Sequence, residues 1–188
     1  HPPDICNRNV VIFCSRQNFV DENDIQKLIS YGWEIGTHGQ THTSFLSMDN
    51  ATLDNELKSS KEYLERKFGI KVYSVASPYG EYDDNTIEHI KKYYKAHRGA
   101  GEYGYNGIPV ENPYTINAFV VMNTTPTSEI KQMIDYAHKY KQWLVLVFHK
   151  IGDGDTEYSY PEKDFREIVE YVHIKGYIQG NVVSNSDI

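Results

Sequence analysis

Two histidines, His38 and His42, stand four residues apart directly after the short segment Trp33-Glu34-Ile35-Gly36. One turn of helix would carry both imidazoles to the same face. A pair of neutral imidazoles at that spacing is a common half-site for a divalent metal, Zn most often. The flanking Thr37, Thr41 and Thr43 equally suit a polar turn in which the histidines only hydrogen-bond to backbone. A third histidine, His149, closes the apolar run Trp143–Phe148. Alone it reads as a satisfied core residue. At the same rim as the pair it reads as a general acid, because an imidazole can hold its pKa near neutrality. Ser77-Pro78-Tyr79-Gly80 brings no ionisable catalyst but would fix a tight turn. Such turns are abundant, yet one can also aim a backbone N–H, here that of Tyr79, at a developing oxyanion. His89, His97, His138 and His173 lie in or beside helices among charged residues, and with the terminal His1 they read as surface or structural.

The elements that must position these residues alternate in type. Val10–Cys14 is a short continuous apolar run, as expected of a strand covered on both faces. Residues about 21–31 carry Ile25, Leu28 and Ile29 at helical spacing and stop at Gly32. Trp33–Gly36 reads as a second strand. A helix follows from Asn50, its cap, to about Phe68, with Leu53, Leu57 and Leu64 on one face and Gly69 as its end. Lys71–Ala76 is a strand feeding the Pro-Tyr-Gly turn, and Asp83 or Asp84 can cap a helix bearing Ile87 and Ile90. Ile116–Met122 reads as a strand and residues about 127–140 as a helix with Ile130, Met133, Ile134 and Ala137 inward. Trp143–Phe148 is a strand, Phe165–Lys175 the last long helix and Tyr177–Val183 the last strand. The Gly/Tyr/Asn-rich stretch Gly99–Pro113 reads as an excursion loop. This alternation implies a parallel α/β sheet or barrel, whose site gathers at the carboxyl ends of its strands. Two of those ends carry histidine and a third carries the turn.

The 188 residues suit one domain, 1–188, with no repeat or linker to divide it. A net charge of -7 argues against a nucleic-acid partner. No apolar stretch approaches a membrane span, and no signal peptide opens the chain. Sixteen Tyr and two Trp suit the flat faces and hydroxyls of sugars, although tyrosines also fill cores and rims. Cys6 and Cys14 make no disulfide framework, and the buried thiol is the default for Cys14.

On these residues the chain resembles the polysaccharide deacetylases, the NodB-homology carbohydrate esterases of family four. Gly32 through His42 resembles that family's G-x-E-I-G-x-H-(S/T)-x-x-H segment, and Ala76-Ser77-Pro78-Tyr79-Gly80 is similar to its R-x-P-Y-G segment. Leu144 through His149 resembles its closing hydrophobic strand with a catalytic His. The resemblance implies a distorted (β/α) barrel and a divalent metal, Zn with Co, Ni or Mn as alternatives, held by an Asp and two His. It implies removal of N- or O-acetyl groups from a glycan such as a chitin-like, peptidoglycan or exopolysaccharide chain, outside the cell or in its envelope. His38 and His42 become metal ligands, His149 the general acid, and Tyr79 the oxyanion donor, with Pro78, Tyr79 and Gly80 lining the substrate.

The departures are specific. The family's opening strand ends in an Asp-Asp pair that supplies the base and third ligand. It should lie before Val10, where Asp4 follows two prolines and no strand. Gly39 replaces the usual Ser/Thr, Ala76 stands where many members have the Arg that orients the base, and the Trp-bearing fourth motif is not evident near Asn123–Pro126. The barrel is therefore expected to be incomplete, lacking its first strand and exposing a sheet edge. The chain is either a piece of a longer deacetylase or a degenerate relative. With two imidazoles and no third ligand, weak metal binding and little turnover are expected. A carbohydrate-binding module without chemistry and a metal-dependent amidase on small molecules are the competing readings.

Overall fold

Strand formation follows the apolar runs, and the capping residues set where the helices begin. The computed structural model describes residues 10–14, 21–101, 103–152, 154, 156–175 and 182–185. His1, Asp4 and Cys6, and the expected start of the last strand at Tyr177, lie outside them. β1 (Val10–Cys14) leads to α1 (Glu22–Ser30), β2 (Glu34–Thr37), α2 (Asn50–Phe68), β3 (Ser74–Ala76), α3 (Asp84–Ile90) and β4 (Ala96–Arg98). After β5 (Tyr105–Asn106) come β6 (Phe119–Val120), α4 (Thr127–Tyr140), β7 (Trp143–Leu144), β8 (Leu146–Phe148), β9 (Lys150–Ile151), β10 (Ser159–Tyr160), α5 (Glu162–Ile174) and β11 (Val182–Asn185). Asp49, not Asn50, caps α2 by accepting the Thr52 N–H at 2.8 Å, and Gly69 ends it at φ 66°. Asp83 caps α3 in the same way. Its neighbour completes the sequence's single Asp-Asp pair, so that pair begins a helix rather than closing a strand.

Seven strands pair in the order β4-β3-β2-β1-β11-β8-β6, every pairing parallel. The two ends of that order meet. Arg98 and Gly101 form parallel bridges with Ile116 and Phe119, and the Gly101 N–H donates to the Ala118 carbonyl at 2.9 Å. The sheet thus curls into a distorted barrel closed by isolated bridges rather than a full ladder. This corrects the expected strand Ile116–Met122: its first half serves β4 and its second half β8, so only Phe119–Val120 forms a ladder. Among the described residues β1 is paired with β2 on one side and β11 on the other.

The run Trp143–Phe148 breaks at Val145, whose N–H goes to the Gly104 carbonyl and whose carbonyl accepts from Phe119. β7 pairs antiparallel with β5, so the stretch expected to be an excursion loop folds back onto the barrel. Buried Asn106 secures it, donating to the Asn117 carbonyl at 2.9 Å and accepting the Asn117 N–H at 2.8 Å. Gly104 is required there: a Cβ would collide with the Val145 carbonyl oxygen.

Side chains sort by the two-residue period of the strands. Ala76, Ala118, Val145 and Val147 pack with Ile116. The intervening Leu146 and Phe148 pack instead with Ile130, Ile134 and Ile168 of α4 and α5. A third group joins Ile35 and Val75 to Leu53, Leu57, Leu64, Ile87 and Ile90 of α2 and α3. Met133, expected inward, is partly buried against the α4–α5 group.

Candidate active site

Because the strands are parallel, the residues following β2, β3 and β8 emerge at one rim. These are His38, Ser77-Pro78 and His149. His38 is 3% exposed, and its Nδ1 lies 2.9 Å from the Ala76 carbonyl oxygen. A carbonyl only accepts, so Nδ1 carries the proton and Nε2 the lone pair. The His42 ring meets it edge-on at a centroid distance of 5.0 Å. No helical turn produces this approach. Gly39 at φ 77° and His42 at φ 58° fold residues 38–44 into an irregular loop, which corrects the expectation from the four-residue spacing.

The polar-turn reading holds as well. Thr41 Oγ1 bonds Thr43 Oγ1 and Glu56 Oε1, and the Gln40 and Thr41 N–H groups donate to the same Glu56 oxygen. The loop is therefore a hydrogen-bonded turn that also brings two imidazoles together.

The Tyr79 ring stacks edge-on against His42 at 5.0 Å while 66% exposed, and its backbone sits at φ 59°. Three non-glycine residues have positive φ among the described residues: His42, Tyr79 and Lys141, the last at the end of α4. Left-handed backbone costs such residues about 1–2 kcal/mol each, and this strain gathers at functional sites. Two of the three face each other here. The turn closes through the Gly80 and Glu81 N–H groups, donating to the Ser77 and Pro78 carbonyls, so the Tyr79 N–H is not used by the turn itself. Pro78 is buried, and a Cβ on Gly80 at φ 72° would strike Ala100.

Beneath the turn, Ser77 Oγ lies 2.8 Å from His97 Nε2, and His97 Nδ1 donates to the Tyr114 carbonyl at 2.7 Å. With Nδ1 protonated, a neutral His97 accepts the Ser77 proton at Nε2. Burial pushes its pKa down to about 4. His97 is thus structural, and so is His89, buried against Asp54 at 2.8 Å, while His138 and His173 are exposed.

His149 is half-buried, with its ring 4.7 Å from that of Tyr158, and among the described residues its buried Nδ1 has no hydrogen-bond partner. Burial first, then Arg98, then His42, pushes its pKa down to about 4. The expectation of a pKa near neutrality is therefore corrected: this imidazole is neutral at pH 7. His38 is lowered well below the ordinary range by burial and then by Arg98, and burial also lowers His42.

Arg98 went unnoticed in the sequence. It ends β4 in register with Ala76, the position where an arginine was missed, so a guanidinium stands one strand away from the expected place. It is 4% exposed, and burial lowers its pKa to about 9.

The parallel barrel thus brings His38, His42 and the strained tyrosine turn together at the rim where His149 also emerges. Residues 7–95, just under half of the chain, match the family model described as polysaccharide deacetylase. Among solved structures, a polysaccharide deacetylase from Bacillus cereus is 24% identical with a TM-score of 0.51, over 60% of this chain and 35% of that one. The CE4 domain of a multidomain xylanase from the hindgut metagenome of Trinervitermes trinervoides is 11% identical, TM-score 0.53, over 95% and 88%. A CE4 family pseudoenzyme from Bacillus anthracis is 12% identical, TM-score 0.51, over 96% and 64%. These three likenesses establish the fold. The chain spans about a third of the length of the Bacillus cereus protein. No curated protein matches the sequence. Among the described residues no helix is long and apolar enough to cross a membrane.

Proposed function

We propose that the chain forms the histidine-bearing part of a hydrolase that removes N- or O-linked acetyl groups from a polysaccharide, with a divalent metal, Zn foremost, as cofactor. We take residues 1–188 as one deacetylase-like domain acting on glycans outside the cell or in its envelope. The observation that carries the reading is the meeting of His38, His42 and the Tyr79 turn at the rim where His149 also emerges.

His38 fits a metal well, since its Nδ1 bond to Ala76 leaves the Nε2 lone pair as the ligating group. His42 supplies the second imidazole. The fit is half a site: no group of three His, Cys, Asp or Glu that could hold a metal occurs among the described residues. When bound, a metal there supplies Lewis-acid polarisation of the acetyl carbonyl and a more acidic attacking water. The Tyr79 N–H would donate to the carbonyl oxygen as it gains charge, with Pro78 and Gly80 holding the turn against the substrate. His149 would give its proton to the leaving group once a carboxylate beside it offsets burial and Arg98. The acidic motif that the resemblance calls for would supply the general base that takes the attacking water's proton and the third ligand.

Acetate release from acetylated chito-oligosaccharides by the full-length protein with Zn2+ tests the proposal. No release from chitin-like, peptidoglycan or exopolysaccharide substrates would overturn it. For the chain alone, weak Zn2+ binding and little turnover are expected. Nanomolar affinity abolished by His38→Ala would contradict that.

A second reading is a carbohydrate-binding relative without chemistry, favoured because burial and the neighbouring Arg98 lower the His149 pKa to about 4 and leave little of the imidazolium that a general acid needs at pH 7. Glycan binding that persists in His38→Ala, without acetate release by the full-length protein, would select it.

A further inference from the structure

We infer that Glu56 is the positioning residue of the His38–His42 pair: its buried carboxylate fixes the loop that sets the distance between the two imidazoles. The inference rests on the proposed reading of that pair as metal ligands, although the spacing it explains exists without a metal.

Glu56 lies on α2, 5% exposed, in the same stripe as Leu53, Leu57 and Leu64. A carboxylate buried among leucines costs several kcal/mol unless it is bonded. Here one oxygen, Oε1, receives three donors: the Gln40 N–H at 2.6 Å, the Thr41 N–H at 2.6 Å and Thr41 Oγ1 at 2.9 Å. Bonds to a charged acceptor are roughly twice as strong as neutral ones. Their donors lie between His38 and His42, so the carboxylate grips the middle of the segment whose ends carry the rings.

Two further features agree. Gly39 approaches so closely that a Cβ would lie 2.9 Å from the same Oε1, and its φ of 77° is open to glycine at little cost. That explains why glycine stands where relatives in the resemblance have Ser or Thr. The loop also holds His42 in the left-handed region, a conformation that persists only where surrounding bonds over-determine it. Three convergent charge-assisted bonds supply that determination.

The test uses the whole chain in two forms. In metal-free protein, NOEs between the His38 and His42 rings are expected in wild type and in Ile134→Val, a mild core variant on another helix, and are expected to vanish in Glu56→Gln. Co2+ titration followed by visible absorption should then show Glu56→Gln binding about tenfold more weakly. Thr41→Val, an exposed change that removes only the hydroxyl donor, should weaken binding a few-fold and keep the fold if Glu56→Gln does not. Ring NOEs that survive in Glu56→Gln, or in the case of misfolding a Thr41→Val protein with unchanged NOEs and Co2+ affinity, would overturn the inference. If His38→Ala leaves Co2+ binding unchanged, the metal reading fails while the NOEs still decide the role of Glu56.

Discussion

The two histidine-bearing ends of the site are built in opposite ways. The His38–His42 loop is anchored from below and from the side: Glu56 takes three of its donors, Ala76 takes the His38 proton, and Ser44 Oγ reaches Glu81 Oε2 at 2.6 Å to tie it to the tyrosine turn. His149 has a tilted ring contact with Tyr158, a buried Nδ1 without a partner among the described residues, and a cationic neighbour in Arg98. The lesson is that a site can be preorganised by halves. The half proposed to hold a metal is fixed by bonds already in place, whereas the half proposed to transfer a proton would depend on a negative charge to make its imidazole basic enough.

The largest expected effect separates the halves directly. His38→Ala should abolish divalent-metal binding, whereas His149→Ala should leave it within about twofold, as befits a group outside the ligand set. Equal losses in calorimetric titration would erase the distinction. Next comes acid sensitivity. His97, beneath the tyrosine turn, has a folded pKa of about 4 against about 6.5 unfolded. The unfolded chain binds the proton first, so this contribution is complete above pH 6.5 and is lost as pH falls towards 4. It amounts to about 3 kcal/mol, and His38 and His149 act in the same direction. Urea melts at pH 7 and pH 4.5 should show the loss, and a flat profile would refute the buried neutral state.

Gly39→Ala should cost about 2 kcal/mol by adding left-handed strain to the close approach on Glu56, read as a lowered urea midpoint. A neutral outcome would mean that the anchored half is looser than drawn. On the other half, Arg98→Met removes a charge that depresses His149, so the His149 titration followed by 15N NMR should move upward. No movement would mean that burial and His42 set it without Arg98. Smallest of all, Tyr158→Leu should change stability by less than about 1 kcal/mol, the scale of one aromatic contact, checked by thermal melting.

Much of the frame was legible because it is periodic. The apolar runs marked β1, β2 and β8, and leucine spacing marked α2. Where reading failed, one segment served two partners: Val145 bonds both Gly104 and Phe119, and residues 116–120 divide between β4 and β8. The site was legible as residue types at strand ends, but not as geometry. The spacing of His38 and His42 suggested a helix because nothing local reveals that two residues of the loop turn left-handed. Glu56 did leave a signal, a carboxylate inside an apolar stripe, which is rare without a buried partner. Arg98 left a weaker one, a charge at the end of a strand following α3. What it faces depends on β3–β4 register, and register is a long-range property.

The barrel closure has one more consequence. The wall closes at a seam, Arg98–Ile116 and Gly101–Phe119, through isolated bridges and a few backbone bonds, and short stretches of pairing open locally more readily than long ladders. Arg98 is on the lip of that seam. Parting it would carry the guanidinium away from His38 and His149 and leave the Glu56-anchored loop untouched, so the stitching of the wall also meters how much positive charge the rim feels.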